Sequence, residues 1–268
     1  MPTVTSADGT CIAYERYGEG PPLVLLHGDS TGKEYWAPVV PRLADEHAVF
    51  VPDRRGRGDS GDNDDAYGLD REVADARAVI DAVEGVPAVF GHSFGGLQAI
   101  EVAREAPVRA VVAYEPAVLV GEYRERADLA ARMQERLDAG DRRGAMKLHV
   151  EEVIHGGDVD DLDAWLEEWP VWPEYVRFVE DSVRMNRELE AYELPETIDT
   201  GAPALLLTGT DGPAHLRDSV RAVHESLAES RLVEFEGLSH MGPSEDPGRV
   251  VAEVRAFLDD VAAPERTA

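Results

Sequence analysis

The sequence predicts an α/β fold: a mostly parallel twisted sheet flanked by helices, with a helical insertion. Two observations carry the sheet. Short, fully apolar runs such as Leu23-Val24-Leu25-Leu26 and Ala204-Leu205-Leu206-Leu207 recur along the chain, as expected of strands covered on both faces. Each is followed by a stretch of helical apolar periodicity, which is the rhythm of βα units and of parallel pairing. The third observation is a break in that rhythm between 117 and 200. There the chain is charged and helical in composition, and Gly140, Gly144, Gly156 and Gly157 divide it into short pieces. The expected organisation is therefore a core from 1–116 and 201–268, with a helical lid at 117–200.

The elements follow in order. Residues 3–17 read as a hairpin, because Asp8-Gly9 is a favoured tight-turn pair and the residues after it partly alternate. The 23–26 strand ends in the loop His27-Gly28-Asp29-Ser30. Trp36, Val39, Val40, Leu43 and Ala44 then share a helical stripe, but Pro38 and Pro41 require that helix to start late or bend. Ala48-Val49-Phe50-Val51 leads as a strand into Asp53-Arg54-Arg55-Gly56-Arg57-Gly58-Asp59-Ser60, where ion pairing is expected, and then into an acidic turn at 61–65. A helix over about 70–83 presents Val73, Ala76, Val79, Ile80 and Val83. A strand at 86–90, a helix over 97–103 and a strand at 110–114 come next. After the break, strands at 204–207 and 232–236 flank a helix over 214–228. The last helix carries Val250, Val254, Phe257, Leu258 and Val261 on one face.

Composition narrows the function classes. At 268 residues the chain supports one large core, and no apolar run approaches the ~20 residues of a membrane span. Residues 1–9 lack a basic region followed by an apolar one, so a cytoplasmic location is expected. The single cysteine, Cys11, excludes an intrachain disulfide and a Cys-based zinc site, and reads as a small buried side chain. Fifty-four acidic residues against 26 basic ones give a formal charge of −28. Such a surface repels phosphate backbones and anionic membranes, so neither nucleic acid nor membrane is an expected partner, and a small-molecule substrate is. Self-repulsion at this density is relieved by salt, and a high-salt cytoplasm is the setting it suits, with an ordinary acidic protein as the alternative. A melting temperature that climbs with KCl concentration is the expected signature; a flat curve would contradict it.

The chemistry centres on Gly91-His92-Ser93-Phe94-Gly95-Gly96, of the form G-x-S-x-G, between an apolar strand and a helix. A serine there sits on a sharp strand-to-helix turn with its hydroxyl lifted clear of the sheet edge, while the glycines allow the turn and close packing. Three other strand ends carry reactive types: His27-Gly28-Asp29, the acids Glu115 and Asp211, and His240. In open parallel sheets the working groups gather at the carboxyl ends of the strands.

With the order Ser93, acid, His240, these stretches resemble the α/β-hydrolase fold, a serine-nucleophile hydrolase with a helical lid. The resemblance runs from about 3 to 261, is weaker in the lid, and rests on His27-Gly28, on 53–60, on 91–96 and on Gly237-Leu238-Ser239-His240-Met241-Gly242-Pro243. It implies Ser93 as nucleophile and His240 as general base, whose activity should fall below about pH 6–7. It also implies an oxyanion hole made of the backbone N–H groups of Asp29 and Phe94. The acid is open between two positions. The commonest family position, after the 204–207 strand, offers Asp211, although only Thr210 separates it from Gly209 where two residues are usual. Some relatives take the acid from the preceding core strand, where Glu115 stands.

A carboxylate at Asp29 departs from the small or apolar residue usual there. It opposes an oxyanion unless it points away, is protonated or meets a polar substrate group. Trp165, Trp169, Trp172 and Tyr175 are candidate walls of a substrate pocket, with packing of the lid onto the core as the equal alternative. His149, Glu152 and His155 share a helix face, but histidines six apart are poorly spaced for a metal, and no metal or cofactor is expected. His47, His215 and His224 read as surface or capping groups. The implied activity is cofactor-free hydrolysis of a small carboxylic ester, thioester or lactone through an acyl-enzyme, of carboxylesterase type. The alternatives are perhydrolysis, C–C hydrolysis or lyase chemistry on the same residues, or a ligand sensor of the same fold. Serine rather than aspartate at 93 argues against haloalkane dehalogenase or epoxide hydrolase chemistry.

Overall fold

Apolar runs buried on both faces form the centre of an eight-stranded sheet in a computed structural model that describes residues 1–62, 67–156, 161–169 and 172–262. The strands are β1 (Thr3–Thr5), β2 (Cys11–Tyr17), β3 (Pro22–Leu26), β4 (Ala48–Pro52), β5 (Ala88–His92), β6 (Ala110–Tyr114), β7 (Ala204–Gly209) and β8 (Ser230–Phe235). Their spatial order is β1-β2-β4-β3-β5-β6-β7-β8. β2 pairs antiparallel with β1 and β4, and every other neighbour pair is parallel. The period-two alternation divides the core into two layers. Leu23 and Leu25 pack with Trp36, Val254 and Phe257 on one face, while Val24 and Leu26 pack with Val79, Ile100 and Val220 on the other.

The core helices are α1 (Val40–Leu43), α2 (Leu69–Ala82), α3 (Phe94–Glu105), α10 (Ala214–Ser226), α11 (Gly242–Glu245) and α12 (Pro247–Ala262). The stripe expected around Trp36 is split into a 3₁₀ turn at Lys33–Trp36 and the single turn α1, since Pro38 and Pro41 deny a continuous helix its N–H groups. Between β6 and β7 run α4 (Gly121–Glu125), α5 (Leu129–Asp138), α6 (Arg142–His149), a π-helical turn (Val150–Ile154), α7 (Leu162–Glu168), α8 (Trp172–Tyr175) and α9 (Val179–Ala191). Asp141 and Asp161 cap α6 and α7 by accepting from Gly144 N at 2.8 Å and Ala164 N at 3.1 Å. This insertion has its own apolar cluster, including Met133, Met146, Trp172 and Val179. Gly157, expected to break a helix, and most of the acidic turn at 61–65 lie outside the described residues.

Two sequence expectations are corrected. Cys11 is exposed, because the alternation of β2 turns it outward while Ile12 faces the core. His47 and His215 are buried rather than superficial. Among the described residues no helix is long and apolar enough to cross a membrane.

The arginine-rich loop after β4 is a buried ion-pair network. Arg54 donates to both oxygens of Glu72, at 2.6 and 3.1 Å, and lies 4.3 Å over the Phe94 ring. Arg55 pairs bidentately with Asp75 and reaches Asp8, and Asp53 accepts from Lys33 Nζ at 2.6 Å. Removing one partner of such a pair leaves a buried charge unmatched, which costs about 3–5 kcal/mol. Glu72→Ala is therefore expected to lower the melting temperature by roughly 10 °C, read by calorimetry; a change under about 2 °C would contradict the assignment.

Candidate active site

Ser93 stands between β5 and α3 with φ 56° and ψ −122°, a conformation that L-residues rarely adopt. The strain is held by hydrogen bonds on both sides. Ser93 N donates to Tyr114 O at 2.9 Å, and Ser93 O accepts from Gly96 N at 2.8 Å and Ala117 N at 3.0 Å. The flanking glycines have no room for side chains. A Cβ at Gly91 would fall 2.0 Å from Gly95 O, and one at Gly95 would fall 2.2 Å from Leu26 O. Phe94 is the first residue of α3, so its N–H has no carbonyl partner within the helix. The His27-Gly28-Asp29 loop abuts the serine, since a Cβ at Gly28 would lie 3.1 Å from Ser93 Cβ.

The two candidate acids separate cleanly. Glu115 follows β6 with φ 43° and its side chain is fully buried. Its Oε2 lies 2.7 Å from His240 Nδ1, and its Oε1 accepts from Thr208 Oγ1 at 2.8 Å and Gly209 N at 3.2 Å. Donors on both oxygens are what a buried carboxylate requires. Asp211 is exposed and accepts from Thr210 Oγ1 at 2.9 Å, away from His240. With one residue fewer after Gly209, the turn closes by Asp211 N donating to Leu238 O, and the carboxylate faces solvent. Of the two carboxylates left open by the sequence, Glu115 is the one that lies against His240.

His92, to which the sequence assigned no role, braces the histidine loop. Its Nε2 donates to His240 O at 2.8 Å, and its ring lies 4.5 Å from both the Tyr35 and His240 rings. Ser93 and His240 border one small cavity of about 30 Å³, walled also by Asp29, Tyr35, His149 and Tyr175. No Ser93–His240 hydrogen bond is formed among the described residues; catalytic hydrogen bonds often tighten only when substrate is bound. A larger cleft of about 760 Å³ adjoins it, the two sharing Ala117, Val153 and Leu189.

Trp165, Trp169 and Trp172 do not line the small cavity. Trp165 and Trp169 pack against each other at 4.7 Å and, with Trp172, join the internal apolar cluster of the insertion; their neighbour Tyr175 reaches the cavity instead. The Asp29 side chain turns toward Arg57 Nη2, at 3.3 Å, and His149 Nε2, at 3.1 Å. Burial pushes the Asp29 carboxyl up, but His149, Arg57 and Arg54 outweigh it, so its pKa lies below the usual range. The role of His149 was not visible in sequence, since it depends on α6 crossing above Asp29.

Burial lowers the pKa of His27, His92 and His149, and that of His215 to about 4. Unfolded histidines take up a proton near pH 6.5 while these folded ones do not, so the unfolded state binds more protons as pH falls. Stability from these groups is complete above pH 6.5 and is lost as pH drops toward their folded values. In 1 M KCl, where surface repulsion is screened, the melting temperature is expected to fall by several degrees from pH 7.5 to 5.5. A flat profile would contradict neutral buried histidines.

The sequence model of the Alpha/beta hydrolase family matches residues 23–254. An alpha/beta hydrolase from Sphaerobacter thermophilus is 31% identical, covering 94% of this chain and 99% of that one, with a TM-score of 0.81. A thermophilic esterase from Thermogutta terrifontis shares the fold at 20% identity and a TM-score of 0.76, covering 98% and 99%. A non-heme haloperoxidase from Rhodococcus erythropolis is 36% identical over 124 residues, 45% of this chain and 44% of that protein. The chain thus spans under half the length of the curated relatives it matches.

Proposed function

The chain belongs to the alpha/beta hydrolase family, and from that premise we propose that it is a cofactor-free serine hydrolase of carboxylesterase type. The observation that carries this reading is the buried 2.7 Å Glu115–His240 pair bordering the same cavity as the strained Ser93. Ser93 Oγ attacks the ester carbonyl while His240 Nε2 takes its proton. Glu115 holds the Nδ1–H tautomer and stabilises the imidazolium that forms. The N–H groups of Phe94 and Asp29 receive the oxyanion. His240 then protonates the leaving alcohol, and water, activated by the same imidazole, releases the acid from the acyl-serine. Described residues of the insertion, among them His149 and Tyr175, wall the cavity, and the insertion acts as its lid. The esterase named among the structural neighbours is in keeping with this chemistry.

Pre-steady-state hydrolysis of 4-nitrophenyl acetate tests the proposal. A burst of nitrophenol close to one equivalent per active enzyme is expected, since acylation and deacylation are separate steps. Absence of any turnover by folded protein would contradict it.

A further inference from the structure

The carboxylate at Asp29 is the feature that the hydrolase mechanism leaves unused. It is about nine-tenths buried, with a side-chain exposure of 6%, and it lines the cavity beside Ser93. Oδ1 accepts from Arg57 at 3.3 Å, whereas Oδ2 has no hydrogen-bond partner among the described residues. His149 Nε2 lies 3.1 Å from Oδ2 but off the hydrogen-bond line. A buried carboxylate oxygen that faces the cavity gains from a ligand group that donates to it, because leaving such an oxygen unpaired costs a few kcal/mol.

The tautomer of His149 defines the rest of the site. Asn186 Nδ2 donates to Ser182 O at 2.7 Å, which turns the amide nitrogen toward His149 Nδ1, 3.1 Å away. Nδ1 therefore accepts, and the proton of the neutral ring resides on Nε2. Burial lowers the pKa of that ring against the opposing pull of Asp29. The cavity thus offers one acceptor, Asp29 Oδ2, and one donor, His149 Nε2–H, about 3 Å apart. A hydroxyl group, which donates once and accepts, satisfies both. An ammonium only donates, so it would leave the His149 donor without an acceptor.

Position says which part of the substrate bears that hydroxyl. Asp29 and His149 border the same small cavity as Ser93, and none of the three borders the adjoining cleft of about 760 Å³, which has the room for a larger alcohol portion. Resting on the hydrolase reading, we infer that Asp29 and His149 form a hydroxyl-binding subsite, and that the preferred substrates are esters of small 2-hydroxy acids with a larger leaving group.

The test compares phenyl hydroxyacetate with phenyl propanoate, in which a methyl replaces the hydroxyl at equal size. The expected preference of the unaltered enzyme in kcat/KM is about 10–100-fold for the hydroxy ester, the range of one or two hydrogen bonds to a charged group and its neighbour. Asp29→Asn and His149→Phe are each expected to reduce that ratio to about threefold or less. Because the ratio is taken within one preparation, partial misfolding cancels. A ratio near one in the unaltered enzyme, or a ratio that neither variant moves, overturns the subsite while Ser93-dependent turnover of the propanoate leaves the hydrolase reading standing. Failure to turn over either ester or 4-nitrophenyl acetate overturns both.

Discussion

Ser93→Ala is expected to lower kcat for 4-nitrophenyl acetate by roughly 10⁴-fold or more, with little change in melting temperature. Alanine retains the Cβ and the backbone bonds that hold the elbow, from Tyr114 O on one side to Gly96 N and Ala117 N on the other, so only the nucleophile is lost. The residual rate is that of water acting in a site whose oxyanion donors remain. A variant retaining more than about a tenth of the activity would place the chemistry elsewhere.

Glu115→Gln is expected to cost roughly 10³–10⁴-fold in kcat, whereas Asp211→Asn should change it by less than about twofold. Glutamine preserves the size of the side chain, but its amide cannot both accept from Thr208 Oγ1 and Gly209 N and accept from His240 Nδ1–H. Either an amide N–H faces the imidazole and drives it into the wrong tautomer, or the contacts to Thr208 and Gly209 are lost. Steady-state kinetics of the two variants side by side measures this, and an inactive Asp211→Asn beside an active Glu115→Gln would reverse the assignment. The contrast is large because the two carboxylates lie in opposite environments, one fully buried and one in solvent.

How much of this was legible in the chain depends on range. The parallel strands were, because apolar runs such as Leu205-Leu206-Leu207 have one stable use, covered on both faces. The elbow was also, because its G-x-S-x-G run is local and Gly91 answers a steric demand made by Gly95 O four residues on. Glu115 could be put forward but not chosen: its pairing with His240 spans 125 residues of sequence and is decided by how tightly the turn after Gly209 closes. The polar pair of Asp29 and His149 was out of reach for the same reason, since it is made where α6 crosses the loop after β3. The tryptophans left two readings open because aromatic clustering marks a packed core as readily as a pocket wall, and here it builds the interior of the insertion. Cys11 was misplaced because alternation in an edge hairpin leaves its phase unsettled until the partner strand is known.

The most direct measurement of the central claim is covalent labelling with a fluorophosphonate followed by mass spectrometric mapping of the modified residue. Such reagents capture a serine only when a base removes its proton and donors receive the developing charge, so they report the whole assembly rather than one residue. Stoichiometric modification of Ser93, lost in Glu115→Gln and unaffected in Asp211→Asn, is the expected result. Modification at another residue, or none in folded protein, would contradict the assignment of Ser93, His240 and Glu115.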